Sequence, residues 1–124
     1  MRPAAERDVA ADAAAVWRIL TDLECWPEWG PSVRSARTDD DGPLAAGTRG
    51  TVTTVAGLRL PFVVSELTPG RSWSWRVAGI PATDHLVVPT GGGCRVRMAV
   101  PLLAAPYLAV CEVAVRRIER LATA

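Results

Sequence analysis

The chain has 124 residues, 14 basic side chains against 13 Asp and Glu, and a formal net charge of +1. That length makes a single domain, residues 1–124, able to bury roughly two thirds of the surface its unfolded chain would expose. Every basic residue is an arginine and the arginines are spread along the whole chain, so no phosphate-binding stripe forms and nucleic acid is not an expected partner.

The N-terminal stretch "MRPAAERDVAADAAAVW" is alanine-rich but interrupted by Glu6, Arg7, Asp8 and Asp12, and so has no apolar export segment; a cytoplasmic location is expected. A short strand is predicted near Ala5 to Val9. A helix follows, with the Asp12 carboxylate expected to accept a backbone N–H at its start. Val16, Ile19, Leu20 and Leu23 recur at helical spacing with Trp17 beside them, so one face is buried. The helix ends near Asp22. In "ECWPEWGP", Pro27, Gly30 and Pro31 permit only a short second helix or turn, which carries Trp26 and Trp29.

From Val33 to Val100 there are only strand-length runs, separated by "DDDGPLAAG", "AG", "TPG", "AGIP" and "PTGGG". They predict strands near 33–38, 48–56, 59–67, 71–78, 82–88 and 94–100, joined tightly and therefore antiparallel. The stretch from Met98 to Val115 has Glu112 as its only charge, but Pro101 and Pro106 break it; it reads as a buried strand end leading into a core helix rather than a membrane span. Tyr107, Cys111, Ala114, Ile118 and Leu121 then form a helical stripe, opposite Glu112, Arg116 and Glu119. A helix of about 17 residues is roughly 25 Å long, enough to cross a sheet.

Period-two alternation sorts the sheet faces. Trp73 and Trp75 share a face, as do Cys94, Val96, Met98 and Val100, whereas Arg95 and Arg97 face away; the tryptophan face is therefore the one that meets the long helix. In "LPFVVSEL", Leu60, Phe62 and Val64 share a face with Glu66, which suggests a partly buried carboxylate.

The order of one strand, two helices, six strands and a long terminal helix resembles the SRPBCC or START-like superfamily, and within it the polyketide cyclase/dehydrase-like group. The resemblance rests on "AADAAAVWRILTDLECWPEWGPSV", "GPLAAGTRGTV", "VVSELTPGRSWSWRV", "GGGCRVRM" and "YLAVCEVAVRRIERLATA", in that order over the whole chain. It implies an α+β helix-grip fold: a curved antiparallel sheet of about seven strands wrapped on the C-terminal helix, two short helices after the first strand, and a cavity between sheet and helix. The expected ligand-binding residues are Trp17, Trp26, Trp29, Phe62, Trp73, Trp75, Met98, Tyr107 and Cys111. Trp26 and Trp29 are expected to border the cavity mouth and offer flat apolar surfaces.

His85 and Tyr107 are the candidate acid–base groups. His85 would titrate near neutrality if it pointed inward, although its strand leaves its direction undecided; Tyr107 lies on the inward helix stripe. Asp84 and His85 are adjacent in a strand and point to opposite faces, so they do not form a triad. The resemblance also implies an inward arginine holding an enolate or carboxylate, with Arg34, Arg49, Arg59 and Arg76 as the candidates. Residues 91–93 form a hairpin turn, not a phosphate loop, since no lysine follows them. Cys25, Cys94 and Cys111 are far apart and form no CxxC pair, and His85 is the only histidine; neither a disulfide framework nor a metal site is expected, nor any cofactor.

Three functions remain open from sequence. One is a binder or carrier of a hydrophobic small molecule of polyketide, acyl or isoprenoid type. The second is a polyketide cyclase or dehydratase, and the third a protein-interaction module. A monomer or homodimer would serve each.

Overall fold

In the computed structural model, which describes residues 2–124, one seven-stranded antiparallel sheet carries the fold. The elements are β1 (Ala4–Val9), α1 (Ala13–Thr21), α2 (Trp26–Trp29), β2 (Val33–Thr38), β3 (Arg49–Thr54), β4 (Arg59–Thr68), β5 (Ser72–Val77), β6 (Ile80–Thr90), β7 (Gly93–Ala99) and α3 (Leu108–Thr123). A 3-10 segment, Leu102–Tyr107, leads into α3. Strand order is β1-β7-β6-β5-β4-β3-β2, so β1 closes the sheet beside β7 and every other strand lies next to its neighbour in sequence. This is the helix-grip α+β fold expected from the resemblance.

Register shifts lie between Val33 and Ser35 in β2, between Val64 and Glu66 in β4, and between Pro81 and Asp84 in β6, opposite Arg76 and Ser74 of β5. Bulges of this kind bend a strand and increase its twist. The bulge at Ser65 also corrects the expectation for Glu66. Strict alternation would turn Glu66 inward, but the extra residue flips the phase, leaving Glu66 exposed and sending Leu67 toward the core.

Elsewhere the alternation holds. Cys94, Val96 and Met98 are buried, and Arg95 and Arg97 lie on the outer face, where they donate to Asp8 and Glu6 directly across the ladder, each at 2.8 Å. These pairs are solvent-exposed, so each contributes little. The Arg95 guanidinium nevertheless holds the Asp8 carboxyl below its usual range.

The Asp12 cap takes a different form from the one expected. Its backbone carbonyl accepts the N–H groups of Ala15 and Val16, while its carboxylate makes no capping bond. On α3, Cys111, Ala114, Val115 and Ile118 are buried against the sheet, and Glu119 accepts from Arg7 of β1 at 2.6 Å, tying the helix to the sheet edge. Pro101, Pro106 and the non-helical backbone of Ala104 keep the approach to α3 tight and irregular. That approach is not buried: Leu102 and Leu103 stand in solvent, so only part of the apolar run from Met98 to Val115 is core. No helix among the described residues is long and apolar enough to cross a membrane.

Two turns show what the backbone demands. Ala78 and Gly79 both have positive φ and join Val77 to Ile80, the two-residue loop geometry that matches the twist of the flanking strands. Gly50, opposite Phe62, leaves room for that ring: a β-carbon there would lie 2.6 Å from Phe62 Cζ.

Candidate functional site

The tryptophans of "WPEW" answer first to α1. A helix ends with carbonyls that have no partner in the helix itself. The Trp26 Nε1 donates to the Leu20 carbonyl at 2.9 Å and the Trp29 Nε1 to the Ile19 carbonyl at 3.0 Å. Both indoles are thereby fixed at the end of α1, and both are buried.

There they meet a stack. Trp26 lies parallel to Trp73, with centroids 5.2 Å apart, and Trp73 lies on His85 at 3.8 Å. Trp75 stands edge-on to Trp26 and Trp73, and Phe62 packs at 5.4 Å from Trp75. Such offset and edge-to-face contacts add to the large area these rings bury. Trp26, Trp29 and Trp73 all line the space under α3. The rings fill most of the space under α3 and leave a chamber of about 30 Å³, room for one or two water molecules. Met98 and Cys111 face the same chamber. Trp17 and Phe62 line neither this chamber nor the larger space described below; Trp17 sits half-buried on α1, and Phe62 belongs to the ring cluster.

His85 points inward, which settles its direction, and is fully buried. Its Nδ1 lies 3.1 Å from the Trp73 carbonyl, which can only accept, so Nδ1 carries the proton. Nε2 then accepts from the Thr83 hydroxyl at 3.1 Å, and that hydroxyl accepts from the Trp75 Nε1 at 2.8 Å. The chain of donors is closed, with no ring nitrogen of His85 left over. Burial pushes the imidazole pKa down to about 4, only partly opposed by the Trp73 carbonyl and the Asp84 charge. The expected titration near neutrality is thus corrected: at pH 7 this imidazole is neutral and held at both nitrogens. Trp73 Nε1 is the buried side-chain polar atom left without a partner among the described residues.

The larger space lies at one end of the sheet, beside the chamber. It is an apolar groove of about 400 Å³, within the range of small-molecule pockets. Its walls include Val33, Val52, Leu60, Val77, Ile80 and Val100. Trp75, Thr83, Ser32, Val33 and Tyr107 line both spaces and form the partition between them. Across that partition the Tyr107 hydroxyl and Ser32 Oγ are 2.6 Å apart. Burial raises the Tyr107 pKa, with the Ser32 hydrogen bond acting the other way, so the phenol is neutral at pH 7. Burial, and to a lesser degree the Glu112 charge, raises the Cys111 thiol to about 11, and it acts as a neutral packing group.

Among the described residues no charged side chain lines either space. Arg34, Arg49, Arg59 and Arg76 are all exposed, so the inward arginine implied by the resemblance is absent from this site. Among the described residues no three His, Cys, Asp or Glu side chains gather in a metal-binding group. The groove residues that sequence reasoning passed over share one signal. They are Val52, Val77 and Ile80, aliphatic positions on the strands that flank the hairpins at residues 55–58 and 78–79.

The polyketide cyclase/dehydrase and lipid transport family matches residues 3–123. Comparison with curated protein sequences gives no match. Among solved structures, the protein MLL2253 from Mesorhizobium loti superimposes with a TM-score of 0.77 at 18% identity, covering 98% of this chain and 96% of that one. Protein NE0264 from Nitrosomonas europaea gives 0.72 at 21% identity, with 98% and 93% covered. An AHSA1-like protein from Aeromonas hydrophila gives 0.74 at 16%, with 97% and 90% covered. At these identities the structures speak for the fold, and the family match over nearly the whole chain speaks for descent. The chain belongs to the polyketide cyclase/dehydrase and lipid transport family of the SRPBCC superfamily.

Proposed function

We propose that this protein binds a neutral, largely apolar small molecule of polyketide, acyl or isoprenoid type in the groove bordered by Trp75 and Tyr107. The observation that carries the reading is the groove itself: about 400 Å³ of space with aliphatic walls and no charged lining residue. Burying an ionised group there would leave it without a counter-charge, which is costly, so a carboxylate-bearing guest fits worse than its ester, ketone or alcohol. The lining hydroxyls are those of Ser32, Thr54, Thr83 and Tyr107; with the Thr83 proton committed to His85, those of Ser32, Thr54 and Tyr107 suit a carbonyl or hydroxyl on the guest.

A cyclase or dehydratase reading retains one group suited to proton transfer, the Tyr107 phenol, because it reaches both spaces. His85 lacks a free nitrogen for such work. Turnover of a poly-ketone substrate that is lost in Tyr107→Phe and kept in His85→Phe would establish that reading.

The binding reading is tested by titrating a neutral fluorescent probe such as Nile red, alongside mass spectrometry of compounds that copurify. Ala104 lines the groove, and Ala104→Trp fills it. The variant should bind the probe at least about tenfold more weakly while melting at an unchanged temperature. Undiminished affinity in that variant would remove the groove as the site.

A further inference from the structure

The end of the sheet that opens onto the groove is built from the 3-10 segment after β7, the β3–β4 hairpin and the β5–β6 hairpin. Large apolar side chains that stand in solvent gather there. Leu103 is 99% exposed, Leu102 72%, Ile80 67%, Leu58 61% and Val55 56%; among the described residues the other exposed large apolar side chains are Tyr107, at this same end, and Val88, away from it. These residues sit on the tips of three separate connections around a cavity mouth, so they form a ring of projections rather than a flat face.

The charge at this end is one-sided. The strand ends and connections that form it, residues 2–5, 30–35, 52–61, 76–84 and 98–107, contain Arg2, Arg34, Arg59 and Arg76 against a single carboxylate, Asp84. Arg2 pairs with Asp84 at 2.9 Å. Among the described residues the other three guanidiniums have no carboxylate partner. Two of them brace the hairpins that carry the projections: Arg34 donates to the Val55 carbonyl and Arg76 to the Gly79 carbonyl, while Arg59 follows Leu58 directly. At the opposite end of the sheet, the β2–β3 connection carries Asp39, Asp40 and Asp41.

We infer that this end docks on the surface of an anionic lipid bilayer, with Leu102, Leu103, Ile80, Leu58 and Val55 entering the headgroup–acyl boundary and Arg34, Arg59 and Arg76 meeting lipid phosphates. Projecting apolar tips flanked by cations are what interfacial binding requires: the apolar area supplies affinity and the cations supply preference for anionic lipid. A protein partner would be matched better by a continuous apolar face than by separate tips. Docking in this pose sets the groove mouth against the membrane, so an apolar guest passes between bilayer and groove without crossing water. The inference does not depend on what the groove holds.

The test is co-sedimentation with vesicles of phosphatidylcholine alone and of phosphatidylcholine mixed with phosphatidylglycerol, across a salt series. Binding is expected to the mixed vesicles only and to fall as salt rises. Leu103→Ser should weaken it about tenfold. Arg59→Gln and Arg76→Gln should each weaken it about fivefold. Leu103 is solvent-exposed and lines no part of the groove, so Leu103→Ser should fold normally and bind Nile red like the parent; the docking and the groove can therefore fail separately. No binding to either vesicle at low salt, equal binding to both, or affinity unchanged by Leu103→Ser would overturn the inference. Self-association in place of vesicle binding, abolished by Leu103→Ser, would also overturn it and assign the ring of tips to a second copy of the chain.

Discussion

The chamber under α3 and the groove beside it are both apolar and share a partition, yet they do different work. Around the chamber, Trp26, Trp73 and His85 stack and Trp75 stands edge-on to them, leaving about 30 Å³. Around the groove, aliphatic side chains on diverging strand ends leave about 400 Å³. Large rings on a concave face close a space by interlocking, whereas small branched side chains beneath separated hairpins cannot reach across it. Aromatic content thus marks the core here, and the hollow lies where the rings stop.

That contrast can be broken by substitution. Removing Trp73, sandwiched between Trp26 and His85, should cost about 3–5 kcal/mol in chemical denaturation. Leu60→Ala, which removes a half-buried side chain from the groove wall, should cost about 1 kcal/mol. Equal losses at the two sites would mean that the groove wall is packed as tightly as the core.

The buried imidazole gives the next largest effect. Its folded pKa of about 4 lies below the ordinary value of 6.5, so between these two pH values the unfolded chain binds a proton that the folded chain does not. Stability from this group is therefore complete above pH 6.5 and falls as the pH drops toward 4, by about 3 kcal/mol over the window. His85→Gln should remove that slope from a series of denaturation midpoints; a parent curve as flat as the variant's over this range would contradict the buried neutral imidazole.

Gly50 sharpens the comparison from the edge of the ring cluster. A β-carbon there would collide with the Arg37 backbone carbonyl and press on Phe62, so Gly50→Ala should lower stability by about 1–3 kcal/mol in thermal melts while leaving probe affinity in the groove intact. A smaller effect of opposite sign is expected at the groove rim. Ala78 holds a positive φ that a side chain resists, and Asn tolerates it better before Gly79, so Ala78→Asn should stabilise by about 0.5 kcal/mol.

Much of this architecture could be read from the chain. The period-two split of "RSWSWRV" and "CRVRMAV" placed both strand faces correctly, because each strand there is regular and one-sidedly apolar. The same rule failed at Glu66, where a bulge at Ser65 inserts a residue that no local pattern in "LPFVVSEL" announces. The site was less legible. Trp26 and Trp29 stood out as odd residues in a turn, but that their N–H groups close the end of α1 depends on how α2 folds back beneath it. The direction of His85, undecided by its alternating neighbours, follows from its pairing with Trp73 across β5 and β6. Ile80, Val77 and Val52 drew no notice, because which strand ends surround an opening is fixed by sheet order and not by any one segment.

The division between packed chamber and open groove is tested most directly by fluorine NMR of the protein labelled with 5-fluorotryptophan, its resonances assigned by single Trp→Phe variants, during titration with Nile red. The groove as binding site predicts a saturable shift of the Trp75 resonance, with those of Trp26 and Trp73 nearly still. Shifts confined to Trp26 and Trp73 would place the guest in the chamber, and no saturable shift at any tryptophan would remove it from the molecule altogether.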